Sequence, residues 1–285
     1  MARLARRHFT GAMNTDTLTL VTGGTGKSGR RVVDRLAASG VPVRVGSRSG
    51  EPPFDWQDES TWAPALRGAG AVYLSYYPDL AFPGAAEAVD AFTAAAVAAG
   101  VQRLVLLSGR GEPEAQRCEQ IVQGNDLEWT VVRASMFAQN FSEDFLLDPV
   151  RSGLVAFPAG EVAEPFIDAD DIAEVAVAAL TGDRHAGQVY EVTGPRLLTF
   201  AEAVAEIGAA AGRGVRYLPV TPEEYAAALV AEGVPAEFAG MLRDLFATIF
   251  DGRNAYLADG VERALGRPAT DFADYARKAA AMGAW

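Results

Sequence analysis

Between Leu18 and Arg133, short β-branched or leucine-rich runs alternate with stretches whose apolar positions recur at helical spacing. The runs "LTLVTG", "VPVRVGS", "GAVYLSY", "QRLVLLSG" and "LEWTVVRAS" predict strands. Between them "KSGRRVVDRLAASG", "PGAAEAVDAFTAAAVAAG" and "EPEAQRCEQIVQG" predict helices that each close on a glycine. Such alternation predicts an α/β fold, a Rossmann-type doubly wound parallel sheet. After Arg133 the pattern loosens. "PFIDADDIAEVAVAALTG" predicts a loop or short strand, an Asp-capped turn and a helix, and "GQVYEVTG" another strand. The remainder is mostly helical, with "VRYLPV" as its one obvious strand, and no Pro/Ser/Gly linker separates it. We therefore expect an α/β domain over residues 15–195 and a small, mostly helical C-terminal subdomain over 196–285, interleaved with parts of 134–170. Residues 1–14, with Arg3, Arg6 and Arg7 and no following apolar stretch of export length, read as a leader outside the fold.

The chain has 285 residues, 49% of them apolar, which is ample for a buried core. A formal net charge of −12 argues against a nucleic-acid or anionic-membrane surface, because such partners are held by clustered cations. A single cysteine, Cys118, excludes an internal disulfide; two histidines beside one thiol offer no zinc cluster. No apolar run is long and uniform enough to span a bilayer. The expectation is a metal-free cytoplasmic protein acting on a small molecule.

The stretch "VTGGTGKSGRRVVDRL" carries the clearest chemistry. Gly23, Gly26 and Gly29 follow the first predicted strand and open the first predicted helix. In that context the first glycine permits a tight turn, the second lets a pyrophosphate approach the backbone, and the third lets helix and strand pack closely. The positive helix end then faces the phosphates. The phosphate-loop motif of nucleotide hydrolases fails here, because Val21 stands where its first glycine belongs. The second strand ends in "RVGSRSG", with Ser47 and Arg48 and no acid until Glu51. A guanidinium can fork onto a 2'-phosphate, so NADP(H) is favoured over NAD.

"LVTGGTGKSGRRV", "FDW", "TWAPALRGAGAVYL", "LVLLSGRG", "WTVVRASMFAQNF", "FIDADDIAEVAVAAL", "YEVTGP" and the terminal "GAW" occur in this order along the chain. Together they resemble the atypical short-chain dehydrogenase/reductases of the NmrA-like type, and more narrowly the bacterial relatives of their ergot-alkaloid reductase branch. The resemblance implies a Rossmann domain binding NADP(H), with a C-terminal region over the nicotinamide. It implies that Thr25, Gly26, Lys27, Ser28 and Gly29 hold the pyrophosphate, that Ser47 and Arg48 hold the 2'-phosphate, and that Asp55, after a third strand, contacts adenine. Asp55 and Trp56 read equally well as a turn acid beside a packing aromatic.

One departure shapes the expected chemistry. The wider superfamily moves a proton with a tyrosine whose lysine neighbour, four residues on, lowers its pKa. Here "SGRGEPEAQRCEQ" contains neither, and Arg117 stands where the lysine often is. Arginine cannot shuttle a proton at neutral pH. Two readings stay open. One is NADPH-dependent hydride transfer to an already electron-poor acceptor, a quinone, iminium or conjugated carbonyl of aromatic or polycyclic kind. The other is dinucleotide binding without turnover, as a redox sensor, or non-redox use of the same pocket.

Candidate groups at the strand ends are Tyr76 and Tyr77 after the fourth strand, Ser108 ending the fifth, and Met136, Phe137 and Asn140 after the sixth. A hydroxyl of the tyrosine pair could donate a proton, and Ser108 could orient a carbonyl. Met136, Phe137 and Asn140 would line the substrate side. The late helices carry Tyr225, Phe238, Met241, Leu245 and Phe246, suited to a lid or a homodimer face. His185 reads as an exposed loop residue, one of Asp168, Asp170 and Asp171 as a helix cap, and Cys118 as a small core residue.

Overall fold

The computed structural model describes residues 17–285, so the leader expected over 1–14 lies outside the described residues. Its strands are β1 (Leu18–Thr22), β2 (Val43–Gly46), β3 (Ala69–Leu74), β4 (Arg103–Gly109), β5 (Glu128–Ala134), β6 (Leu154–Phe157), β7 (Ala163–Glu164), β8 (Gln188–Val192), β9 (Leu198–Thr199) and β10 (Arg216–Pro219). Its helices are α1 (Lys27–Ala38), α2 (Trp62–Leu66), α3 (Ala85–Ala98), α4 (Pro113–Gln123), α5 (Asn140–Glu143), α6 (Leu147–Ser152), α7 (Ala169–Thr181), α8 (Phe200–Ala211), α9 (Pro222–Ala231), α10 (Ala236–Ile249), α11 (Gly260–Leu265) and α12 (Phe272–Ala281).

Six strands form one parallel sheet in the order β2-β1-β3-β4-β5-β8. They read as nearly continuous apolar runs because both faces are covered. Leu20, Val72, Leu74, Leu104, Leu106 and Val131 point to one side, into a core closed by α2, α3 and α4. Their neighbours Val21, Ala71, Tyr73, Val105 and Val132 point to the other, where α1, α7 and α11 lie. This period-two alternation fixes the register, since a one-residue slip would exchange the two faces. The chain leaves β1 for β2 on one side and returns to β3 on the other, which makes the gap between β1 and β3 a switch point.

The third strand expected ahead of Asp55 is absent. "EPPFDW" is a loop in which Asp55 makes one isolated bridge to Asp58; Pro52 and Pro53 have no N–H to give a ladder. Tyr76 and Tyr77 therefore follow β3, Ser108 lies in β4, and Met136 follows β5.

A third core holds Phe141, Phe157, Phe166, Phe200, Phe246, Phe250 and Phe272 together, away from the sheet. Two small pairings knit it: β6 runs parallel to β10, and β7 antiparallel to β9. Residues 135–167 are thus bound into the C-terminal region although they precede β8 in the chain. Asp168 caps α7 by accepting from the Asp170 N–H at 2.9 Å, and Cys118 is buried, both as expected.

His185 is not exposed. It is 2% accessible, its Nδ1 lies 2.8 Å from the Tyr190 hydroxyl, and burial, followed by Arg184 and Arg103, lowers its pKa. Its polar sequence neighbours disguised a ring that plugs the sheet at the amino end of β8, opposite the carboxyl ends where α/β sites form.

α11 docks on β8 through Gly260, where an added Cβ would overlap the Glu191 carbonyl and lie 2.9 Å from its nitrogen. Gly260→Ala is expected to lower unfolding stability by about 2 kcal/mol, read as a reduced urea midpoint with unchanged slope.

Candidate active site

The turn between β1 and α1 is built for close approach. Gly23 has φ +60°. An added Cβ on Gly29 would overlap the Gly23 carbonyl, and one on Gly24 would lie 2.9 Å from the Val21 carbonyl. Gly26 caps α1 with no side chain, and no acid stands in the first turn. The first N–H groups of α1 therefore have no local acceptor, while Thr25 and Gly26 are exposed beside them. That cradle fits a pyrophosphate. Ser28 is buried, and Lys27 turns away from the cradle: its Nζ donates to Asn140 Oδ1 at 2.7 Å, pairs with Asp144, and sits 5.8 Å from the Phe137 ring centroid. Lys27 belongs to the neighbouring cavity.

Just past β2, Ser47 is half-buried and Arg48 exposed, and among the described residues no carboxylate pairs with Arg48. Asp55 accepts from the Gln57 N–H through Oδ1 at 3.0 Å, as a turn acid does. Trp56 donates through Nε1 to the Ser75 carbonyl at 3.1 Å and packs against Phe54, Phe92 and Tyr76, each about 5 Å between ring centres. It fills the core beneath the strand ends.

A cavity of about 310 Å³ opens beyond the carboxyl ends of β3, β4 and β5. Lys27, Tyr76, Ser108, Met136, Phe137 and Asn140 all line it, so the structure brings these expected residues together. Leu242, Leu245, Phe246, Ile249 and Phe250, from α10 and its end, form an apolar roof. Of the other residues expected in a lid, Tyr225 packs on Phe157 and Phe246, Phe238 packs on Phe82, and Met241 faces a separate groove.

Two of the expected hydroxyl donors fare poorly. Tyr77 is 68% exposed and outside the cavity lining. Ser108 gives its one proton to Glu119 Oε1 at 2.7 Å, so it has an oxygen to accept with and no hydrogen left for a carbonyl. Glu119 is itself held by Arg133 Nε at 2.9 Å. Tyr76 remains, half-buried, with its pKa raised by burial and by Cys118 and Glu87. That is opposite to the direction of a tyrosine activated by a cation. Arg117 is exposed beside Glu87 and Glu114, outside the lining.

The cavity also holds acids that sequence reading missed: Asp79, Glu112 and Glu164. They come from three separate segments, the loop after β3, the start of α4 and β7, and no spacing links them. Burial raises Asp79, against the Ala81 N–H and Lys27. Burial, then the charges of Asp79 and Glu119, carries Glu112 well above the usual carboxyl range. Glu164 is 2% exposed, and burial pushes it up to about 7 against Arg110. Arg110 is held elsewhere: Nε donates to Glu191 at 2.7 Å, and its other nitrogens donate to the Asn254 and Tyr256 carbonyls at 3.2 and 3.1 Å.

Residues 23–183 match a family model described as NAD(P)H-binding. The chain is 34% identical over 288 residues to an NAD(P)H azoreductase of Xenophilus azovorans, spanning 93% of this chain and 99% of that protein. It is 31% identical over 279 residues to an agroclavine dehydrogenase of Claviceps fusiformis, spanning 90% and 95%. The structure of an NADPH-dependent quinone oxidoreductase of Escherichia coli, complexed with NADPH, matches with a TM-score of 0.73 at 22% identity, over 91% of this chain and 99% of that one.

The Glu164 carboxyl binds its proton more tightly folded, at about 7, than at its ordinary 4.5. Its stabilising contribution is therefore complete below about pH 4.5 and lost as pH rises through about 7. Glu164→Gln should gain stability relative to the parent between about pH 5 and pH 8, by at most about 3 kcal/mol, measured by urea unfolding at both pH values.

Proposed function

This chain belongs to the NAD(P)H-binding family, as an NAD(P)H-dependent oxidoreductase of the atypical, NmrA-like short-chain type, and from that premise we propose that it uses NADPH to reduce an electron-poor small molecule. The acceptor class is a quinone, iminium or conjugated carbonyl on an aromatic or polycyclic frame. One observation carries this reading. The aromatic-walled cavity adjoins the glycine cradle at the strand ends, so a nicotinamide extending from the cradle would meet a flat apolar guest. Relatives named an azoreductase and an agroclavine dehydrogenase, and a structure named a quinone oxidoreductase, support an acceptor of this class.

When bound, the coenzyme supplies hydride. The protein supplies position and exclusion of water. The α1 amino end and the Gly23–Gly29 turn hold the pyrophosphate. Arg48 and Ser47 grip the 2'-phosphate, and Asp55 borders the adenine. Met136, Phe137, Tyr76 and the α10 roof hold the acceptor flat and dry. Lys27, already engaged by Asn140 and Asp144, fixes the wall beside Phe137. In this assignment residues 196–285, with parts of 134–170, form the substrate cover over a cofactor domain of residues 15–195.

Arg48→Ala should weaken NADPH binding about 10- to 100-fold while leaving NADH affinity within about twofold, by calorimetry, since only the 2'-phosphate contact is lost. Stopped-flow loss of NADPH absorbance against a panel of quinones and iminium salts is expected to show turnover. Tight NADPH binding with no oxidation by any acceptor would overturn the proposed activity.

A further inference from the structure

The proposed function leaves the cavity acids unused, and the most buried of them is Glu164, 2% exposed. Glu164, on β7, lines the cavity with its Oε1 buried and, among the described residues, without a hydrogen-bond partner. A buried carboxylate with no donor is costly, whereas a buried carboxylic acid keeps an O–H to offer. The charged groups sharing its cavity are Arg110 just after β4, Glu112 from the start of α4, Asp79 after β3, Lys27 from α1, and Asp144 after α5. The α10 roof contributes none. Among the described residues Arg110 is the one cation that favours ionisation of Glu164, and its nitrogens are committed to Glu191, Asn254 and Tyr256. Lys27 is committed to Asn140 and Asp144. Glu112 also faces the groove beside Phe82, so it stands at the rim, whereas Glu164 stands in the closed wall.

We propose that Glu164 is the proton donor for reduction of neutral acceptors, in the place of the tyrosine this chain lacks; this rests on the reductase function proposed above. As hydride reaches the electrophilic atom of a quinone or conjugated carbonyl, the C=O π pair moves onto oxygen. The oxygen forms a new O–H bond with the Glu164 proton, and the carboxyl O–H breaks. The carboxylate left behind is reprotonated from water at the rim before the next turnover. An iminium cation needs none of this, because hydride alone converts it to a neutral amine. Glu164 therefore divides the acceptors into those that depend on it and those that do not.

The test compares the full-length protein with Glu164→Gln, using 1,4-naphthoquinone and an N-alkyl dihydroisoquinolinium salt as acceptors for NADPH. With the quinone, kcat should fall about 100-fold or more, as for loss of a general acid. With the iminium it should change less than about threefold, and the Kd for NADPH should be unaltered. The parent's quinone rate should decline as pH rises through neutrality while its iminium rate does not, and this limb should vanish in the variant. Infrared difference spectra of the coenzyme-free protein should show a protonated carboxyl band at about pH 6 that is lost at about pH 9 and missing in the variant.

A quinone rate unchanged in Glu164→Gln, an equal loss with both acceptors, or no Glu164 carboxyl band at the lower pH would each overturn the assignment while leaving the reductase function standing. Should the variant not fold, the parent's two pH profiles decide: a limb with the quinone alone supports the assignment, and parallel profiles overturn it. No oxidation of NADPH by either acceptor overturns the function and the assignment together.

Discussion

The structure depends on the contact between Gly29 and the Gly23 carbonyl, a position where not even one methyl group fits. That approach sets the first turn of α1 against the end of β1, which fixes where its unsatisfied N–H groups point. It also sets the azimuth of the helix, and with it the direction of four cations along one side. Lys27 reaches Asp144; Arg30 and Arg31 reach Glu143; Arg31 and Arg35 reach Asp170, at 3.1 and 2.9 Å. Glu143 and Asp144 close the short α5 segment beside the cavity, and Asp170 opens α7. One helix therefore presents its free end at the glycine turn and clamps the segment beside the cavity with its flank. Partly exposed ion pairs of this kind contribute modestly to stability one by one. Their value here is geometric: they hold the wall carrying Phe137 and Asn140 in a fixed relation to the cradle.

The sheet was legible because its signals are local. Period-two apolar runs, helical spacing and closing glycines each declare themselves within a dozen residues, and the glycine turn stands in the sequence where it stands in the structure. The roof was partly legible, since Leu245 and Phe246 advertised an apolar face but nothing distinguished them from Met241, which faces another groove. The expectations the structure overturns failed for physical reasons. A strand was expected before Asp55 from its place in the alternation, although Pro52 and Pro53 cannot serve a ladder. His185 was read from polar neighbours that face water while its ring turns inward. Tyr77 and Tyr76 are adjacent in sequence, and at a strand end adjacent side chains leave on opposite sides.

The acids were illegible for a different reason. Asp79, Glu112 and Glu164 come from the loop after β3, the start of α4 and β7, and what makes them chemical is shared burial, which no residue spacing encodes. Gly109 shows the dependence: a Cβ there would overlap the Glu112 carboxyl, so a bare backbone position in β4 admits the acid to the cavity edge. Similarly, Glu164 enters the cavity because β7 pairs with β9, a two-residue ladder between segments more than thirty positions apart.

Arg110 connects these observations. Its side chain is buried, stacks 4.1 Å from the Tyr256 ring centroid, and ties the end of β4 to β8 through Glu191 and to the segment after α10 through two carbonyls. The roof is thereby anchored to the sheet by a cation that also faces the cavity. Were that guanidinium free, it would pair with Glu164 and hold it ionised, since an adjacent unengaged cation outweighs the burial of one carboxyl. Engaged three ways, it lowers the Glu164 pKa without overcoming the effect of burial. The fastening of the roof and the protonation of the wall are therefore one electrostatic arrangement, with the guanidinium committed to structure so that the carboxyl stays available to a guest.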